Sequence, residues 1–334
     1  MSNKLSFDKT LYVLAPLAGY TDLPFRSVVK KFGADLTISE MVSSNALTHN
    51  SEKSIKMLEK NSIEDPYSVQ IAGGDVDVVR AAVEFINTQE GIDAIDFNCG
   101  CPVPKVVGGG SGSSLLRDLD QMGRLIETIK KTSNKEFTSV KIRLGFSENN
   151  HLEIAKVVEE AGADFIAVHG RTRAGRFKSE VDYDAIAEVK QALKIPVIAN
   201  GDITSYEKAQ WVLEHTKADG LMIGRGAIGQ PWIFHQLKTG EKEVSIALKK
   251  EIVLEHYDKM VEFYGAHGVP MFRKHIHTYC KGLKGASSLR NEVNSINDIQ
   301  EFRELLQSFF NTTEEACYTS SLNLSSLSLR LLIV

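Results

Sequence analysis

The chain is poor in cysteine and has no long apolar run. Its four cysteines, Cys99, Cys101, Cys280 and Cys317, form no CxxC pair and no Cys/His spacing suited to zinc. Neither a disulfide scaffold nor a structural metal site has a basis in that pattern. No apolar stretch reaches the roughly 18 residues a membrane span needs. The opening segment, residues 1–8, lacks the apolar core of a secretory signal. The expectation is a cytoplasmic protein with no membrane association. Large net charge is also missing. A value of −4 over 334 residues, with 43% apolar and 25% charged content, excludes a disordered or collagen-like chain. Taken alone, a slightly acidic total argues against a nucleic-acid partner. Its distribution argues the other way. Residues 263–291 contain no acid but carry Arg273, Lys274, Lys281, Lys284 and Arg290. This interval is therefore +5 and the remainder −9, a possible footprint for a polyanion.

The length accommodates one α/β barrel of about 250 residues and a smaller appendage. Eight short apolar or β-branched runs recur at residues 11–18, 34–41, 67–73, 94–100, 138–145, 165–170, 196–202 and 220–224. Helical patterns mostly separate them. Strands alternating with helices imply parallel βαβ units, and eight of them imply a closed TIM barrel. Asp75 is a cap for a helix over 76–87. Asn150 with Glu153, and Thr204 with Glu207, have capping-box spacing. After about Leu237 the strand signal stops, and residues 245–310 read as helices broken near 265–270 and 282–288. The expected organisation is a catalytic barrel over 1–240, a small helical domain over 245–311 and a tail over 312–334. Alternating leucines in the tail fit a strand better than a helix.

Polar residues cluster at the C-terminal ends of the expected strands, where barrels carry their chemistry. Pro16, Leu17 and Ala18 follow the first strand. Gln70 lies in the third, and Asp96 and Asn98 in the fourth, ahead of Gly100, Cys101 and Pro102. Lys141 and Arg143 alternate in the fifth. His169 and Arg171 end the sixth, Asn200, Gly201 and Asp202 the seventh, and Gly224, Arg225 and Gly226 the eighth. Parallel strands are normally buried on both faces and read as apolar runs, so this clustering suggests a ligand-filled mouth. The glycines of the last two sites, with Arg225, suit a phosphate, against an equally weighted reading as plain helix caps.

These blocks resemble the tRNA-dihydrouridine synthases, flavoenzymes that reduce uridine in tRNA, and most closely their bacterial B-type branch. Ala15-Pro16-Leu17-Ala18-Gly19-Tyr20-Thr21-Asp22 is similar to the family's opening motif. Asp96-Phe97-Asn98-Cys99-Gly100-Cys101-Pro102 is similar to its catalytic strand. Lys141-Ile142-Arg143-Leu144-Gly145, His169-Gly170-Arg171-Thr172, Asn200-Gly201-Asp202-Ile203 and Ile223-Gly224-Arg225-Gly226-Ala227 match further blocks. Arg273-Lys274-His275 with Lys281-Gly282-Leu283 resembles its helical domain. The resemblance implies FMN in the barrel mouth. Pro16, Leu17 and Ala18 would line the isoalloxazine, Gln70 and Lys141 would bond its polar edge, and His169 would lie near the ring. Asn200, Gly201, Asp202, Gly224 and Arg225 would hold the phosphate. It further implies NADPH or NADH as reductant, hydride transfer from flavin N5 to uracil C6, and Cys101 as proton donor to C5. The expected target is the D-loop of tRNA. Asn98 and Arg171 would meet the substrate, and Arg273, Lys274, Lys281, Lys284 and Arg290 would grip tRNA phosphates. No obligate protein partner is implied.

Plainer readings stand beside these. An ordinary thiol is mostly protonated near neutrality, which suits an acid. Cys99 points the same way as Cys101 on an extended chain but reads as packing. Asp96 is evenly balanced between a buried strand residue and a ligand contact. Arg143 reads as an ion-pair partner or an RNA contact. The basic run over 273–290 would otherwise be a solvated helix face, with Arg273, Lys274, Lys281 and Lys284 on one side if the helix is continuous. The competing functions are an FMN barrel acting on a small pyrimidine or enone, an RNA-binding protein without chemistry, and an aldolase-like phosphate-binding barrel.

Overall fold

The computed structural model describes the backbone of residues 5–330 and the side chains of residues 5–315. Two compact units result, one formed by Met1–Ala227 with Pro231–Gly240 and the other by Ile228–Gln230 with Glu241–Val334. The first is a closed parallel barrel. Its strands are β1 (Leu11–Leu14), β2 (Leu36–Ile38), β3 (Tyr67–Ala72), β4 (Ala94–Cys99), β5 (Phe137–Arg143), β6 (Phe165–His169), β7 (Val197–Asn200) and β8 (Gly220–Ile223). Each pairs in parallel with the next, β8 returns to β1, and a short Val42–Ser43 bridge extends the rim beside β3. All eight expected strands are present. They stop one to four residues early because the chain leaves the sheet there to form the mouth.

Side-chain alternation divides the strands between two cores. Outward residues such as Leu14, Val69, Ile71, Phe97, Cys99, Val140, Ile142 and Val168 pack against the surrounding helices. Those helices are α1 (Leu23–Lys31), α2 (Val76–Asn87), α3 (Leu119–Thr132), α4 (His151–Glu160), α5 (Tyr183–Ala192), α6 (Tyr206–Thr216) and α7 (Ile233–Thr239). Inward residues of β1, β2, β6, β7 and β8 make a second apolar cluster that includes Val13, Ala15, Ile38, Phe165, Ala167, Ile198 and Met222. The Phe7 ring lies 5.4 Å from that of Phe165 and covers the N-terminal end of this cluster. The inward faces of β3, β4 and β5 are different. They present Ser68, Gln70, Asp96, Asn98, Ser139, Lys141 and Arg143.

Local signals explain most helix starts. Asp75 accepts from Asp77 and Val78 N–H at the head of α2. At α6 the cap is Ser205, which accepts from Lys208 N–H, one residue later than the capping-box spacing suggests. Asn150 occupies the cap position of α4 but makes no side-chain cap bond. Its backbone N–H instead donates to Leu144, and its side chain lies against Gly145, which keeps it from the helix end.

The second unit comprises α8 (Ile246–Tyr264), α9 (Gly268–Tyr279), α10 (Ala286–Glu292) and α11 (Ile299–Arg330). Tyr257 stacks on Phe302 at 5.1 Å and meets Phe272 edge-on, which gives this unit its own aromatic core. Two expectations need correction here. The basic run does not lie on one continuous helix. α9 ends at Tyr279, and Gly282 and Gly285 take left-handed φ values of 82°, so Lys281 and Lys284 fall in a turn and Arg290 in α10. The expected strand in the tail is also absent as far as Arg330, because α11 runs through it. No glycine or proline follows Gly285, so nothing in the sequence stops the helix once Ile299 has started it. The last residues of that tail, 331–334, lie outside the described residues. No described helix is long and apolar enough to cross a membrane.

Candidate active site

The polar wall opens into a cavity of about 360 Å³ at the C-terminal mouth of the barrel. Pro16, Leu17, Ala18, Gln70, Asn98, Cys101, Lys141, His169, Asn200, Gly201, Asp202, Gly224 and Arg225 all line it. Residues from seven different strand ends are thus brought together. The lining also has an apolar side, formed by Ala15, Pro16, Leu17, Ala18, Met41 and Met222.

The segment carrying Cys101 is held at every peptide. Asn98 Oδ1 accepts from the N–H of Gly100 at 3.1 Å and of Cys101 at 2.8 Å. Gly100 O accepts from Arg143 Nε at 2.9 Å, and Cys101 O accepts from Ser113 N–H at 3.1 Å. Gly112, at φ 61°, packs so closely on Cys101 that an added Cβ would meet its Cβ at 3.1 Å. These bonds turn the chain out of β4 immediately after Cys99. Cys99 and Cys101 therefore do not point the same way, as an extended chain would require. Cys99 is fully buried among the outer helices, where burial pushes its thiol pKa well up. Cys101 reaches the cavity, and with Cys99 and Cys280 it is a free thiol.

Positive charge dominates the mouth. Among the lining residues Lys141, Arg143 and Arg225 face a single carboxylate, Asp202. Lys141 bonds only a neutral group, Asn200 Oδ1 at 3.1 Å, and Asn200 Nδ2 is anchored on Met222 O at 2.7 Å. Burial, with Arg143 adding repulsion, lowers the Lys141 pKa to about 8. Arg143 falls to about 10 for the same two reasons, with Arg171 as its neighbour. His169 is kept neutral by burial and then by Lys141, Arg143, Arg171 and Arg225. An uncompensated cationic cavity is costly, and an anionic ligand relieves that cost.

Some expected residues hold other positions. Arg171 does not line the cavity. It is 4% exposed, clamps Asp202 with Nη2 at 2.5 Å and Nη1 at 3.2 Å, and donates from Nε to Ser179 O. Asp202 also receives Arg225 Nη2 at 2.6 Å, and the Arg171 bonds hold its carboxyl below the usual range. One Asp202 carboxylate at the cavity wall is thus shared by two arginines. In the helical unit, Arg273 Nη2 donates to Ile296 O and Asn297 Oδ1 at 2.9 and 2.7 Å, tying down its own fold. Lys274 and Arg290 are partly buried, whereas Lys281 and Lys284 are exposed.

Phe177 was not identified from sequence. It lines the cavity although half exposed, with the Arg225 guanidinium 4.4 Å and that of Arg143 5.6 Å from its ring centre. Its only sequence signal is a lone aromatic at the end of the Arg/Gly-rich segment 171–177. Asp96, left between two readings, is a buried strand residue bonded to Ser139 and Gln70.

Known proteins resemble this chain along most of its length. The family description Dihydrouridine synthase (Dus) matches residues 13–314. A probable tRNA-dihydrouridine synthase of Helicobacter pylori is 53% identical over 91% of this chain and 93% of its own length. The tRNA-dihydrouridine synthase B of Pseudomonas putida is 42% identical over 92% and 93%. Among solved structures, the old yellow enzyme homologue from Zymomonas mobilis shares the fold at a TM-score of 0.51, with 13% identity over 73% of this chain and 92% of that one.

Proposed function

The chain belongs to the dihydrouridine synthase family, and from that premise we propose that it reduces uridine to 5,6-dihydrouridine in the D-loop of cytoplasmic tRNA, with FMN as bound cofactor and NADPH or NADH as reductant. The observation that carries the reading is a pinned, cavity-facing Cys101 beside an excess of buried cation. The donor set fits the cofactor. Lys141 and Arg225 supply positive charge for its anionic parts, and backbone N–H groups at Gly201 and Gly224 can approach a phosphate without side-chain hindrance. Gly201 has φ 136°, and a Cβ there would strike Val181 at 2.9 Å, so this close turn excludes other residues. The apolar strip from Ala15 to Ala18 suits one face of a flat ring, and Gln70 and neutral His169 offer its edge hydrogen bonds.

When bound and reduced, the flavin supplies the hydride that adds to uracil C6. The remaining work falls to the chain. Cys101 donates the proton that C5 requires, and Asn98 holds the base edge. Asp202 keeps Arg171 and Arg225 in place. The helical unit grips phosphates through exposed Lys281 and Lys284, since a base-modifying enzyme must hold the RNA while one nucleotide is swung into its pocket. The 1–240 segment is the catalytic domain in this reading and 245–311 the tRNA-binding domain. The test is to incubate purified protein, FMN and NADPH with unmodified tRNA transcript. Mass spectrometry of nuclease fragments should then show two added hydrogens at a D-loop uridine. An unchanged transcript, with reduction of a free pyrimidine or an enone by the same preparation, would favour the small-substrate barrel.

A further inference from the structure

Asp96 is fully buried and does not line the cavity, yet it stands behind two residues that do. The register aligns Gln70, Asp96 and Ser139 on three neighbouring strands. The Asp96 carboxylate accepts from Ser139 Oγ and from Gln70 Nε2, each at 2.6 Å. A carboxylate can only accept, so the donor end of the Gln70 amide must face it. Gln70 Oε1 is thereby turned to Asn98 and accepts from Nδ2 at 2.8 Å. Asn98 Oδ1 then spends both lone pairs on the N–H groups of Gly100 and Cys101. Its one uncommitted group is the second Nδ2–H.

We propose that Asp96 is a positioning residue for uridine reduction, acting through Gln70 to fix the direction of the Asn98 amide and the peptide that carries Cys101. The inference rests on the function proposed above. It gives Asn98 a defined role, because a side chain with only N–H left meets a carbonyl oxygen. Uracil offers one at C2 and one at C4. Cytosine keeps the C2 carbonyl but carries an amino donor at C4, so this group distinguishes the two bases where it meets C4. Burial raises the Asp96 carboxyl, against which Ser139, Gln70 and Lys141 favour the charged acceptor that the chain of bonds requires.

Three variants test this. Asp96→Asn keeps the shape: its Oδ1 can still accept from Gln70, and its NH₂ can donate to the Ser139 hydroxyl. Asp96→Leu removes the acceptor and releases the Gln70 amide. The third is Asn98→Ala. In flavin-free protein, hydrogen-exchange mass spectrometry should show protection of the Gly100 and Cys101 N–H lost in Asp96→Leu and kept in Asp96→Asn. In flavin-loaded protein, single-turnover oxidation of reduced flavin by tRNA should slow by about 10- to 100-fold in Asp96→Leu, the scale of a misplaced reacting group. Asp96→Asn should stay within about threefold, with its flavin reduced by NADPH at the wild-type rate. The Asp96→Leu defect should disappear as a separate effect in the Asn98→Ala background, the non-additivity expected of residues acting through one another. If Asp96→Leu fails to fold, Asp96→Ser, whose hydroxyl is too short to reach Gln70, takes its place in the same cycle. Multiplicative losses, or an Asp96→Asn protein as impaired as Asp96→Leu, would overturn the assignment while wild-type activity stood. Wild-type protein whose reduced flavin is not oxidised by tRNA would overturn the functional reading and this inference with it.

Discussion

Replacing Lys141 with methionine should make the flavin-free barrel more stable and the enzyme inactive. The folded protein holds this ammonium in a cavity whose other cations, Arg143 and Arg225, have one carboxylate between them, Asp202. Burial, and after it repulsion by Arg143, lowers its pKa from 10.5 to about 8. At about 1.36 kcal/mol per pH unit, the charged form costs the folded state roughly 3 kcal/mol near neutrality. Methionine has similar length and no charge, so it relieves that cost. It also loses the bond to Asn200 Oδ1, worth about 1–1.5 kcal/mol. A net gain of about 2 kcal/mol at pH 7 is the outcome.

The pH dependence supplies the sign. A depressed lysine pKa means the unfolded chain binds more protons between pH 8 and 10.5, so wild-type stability rises with pH across that window. The penalty is complete below pH 8 and gone above 10.5. The advantage of Lys141→Met should therefore shrink by about 2 kcal/mol between pH 7 and pH 9.5. The assay is urea unfolding followed by tryptophan fluorescence, which reports the barrel alone because both tryptophans, Trp211 and Trp232, belong to it. A destabilised Lys141→Met protein at pH 7, or a gain that ignores pH, would refute the reasoning.

Cys101→Ala should bind flavin and accept electrons from NADPH normally while uridine reduction drops by about 10²–10⁴, the range of a positioned acid. Cys99→Ala should change turnover little, since Cys99 packs against helices; stopped-flow flavin oxidation by tRNA separates the two, and a reversed ranking would reassign the acid. For the RNA grip, the paired change Lys281→Ala with Lys284→Ala should flatten the log–log salt dependence of tRNA binding by about 0.7–0.9 per lost phosphate contact. These exposed lysines give a cleaner test than Arg273, whose removal would loosen the Ile296–Asn297 turn. An unchanged slope in filter-binding titrations would identify them as ordinary solvated residues.

The barrel was legible because each strand is a short apolar run ending in polar or glycine residues, a pattern that survives without knowledge of register. The cavity was legible for the same reason. The errors lie where a side chain outside the periodic pattern redirects the backbone. Period-two reasoning placed Cys99 and Cys101 together, but the Asn98 amide bends the chain between them. Helical spacing joined Arg273 to Lys284, but α9 stops at Tyr279 before two left-handed glycines. The tail's leucines alternate, yet with no breaker after Gly285 the helix propagates through them. Asp96 was undecidable because its meaning depends on which residues of β3 and β5 stand beside it. Phe177 belongs to the loop after β6, and a loop has no period to read.

The division of the barrel interior connects these observations. Five strands fill it with apolar side chains, and three consecutive strands line it with groups that would be costly if left unpaired. Ser139, Asp96, Gln70 and Asn98 bond one another in a chain that ends on the Cys101 peptide, so this part of the wall keeps its directions without a ligand. Lys141 and Arg225 are different, since their positive charge exceeds what Asp202 returns. The satisfied part is suited to holding a thiol and an amide in fixed directions. The unsatisfied part favours an anion and gains stability when one arrives. One wall thus separates two requirements, rigid placement of the reacting groups and affinity for a charged cofactor, and assigns them to different residues of the same three strands and their neighbours at β7 and β8.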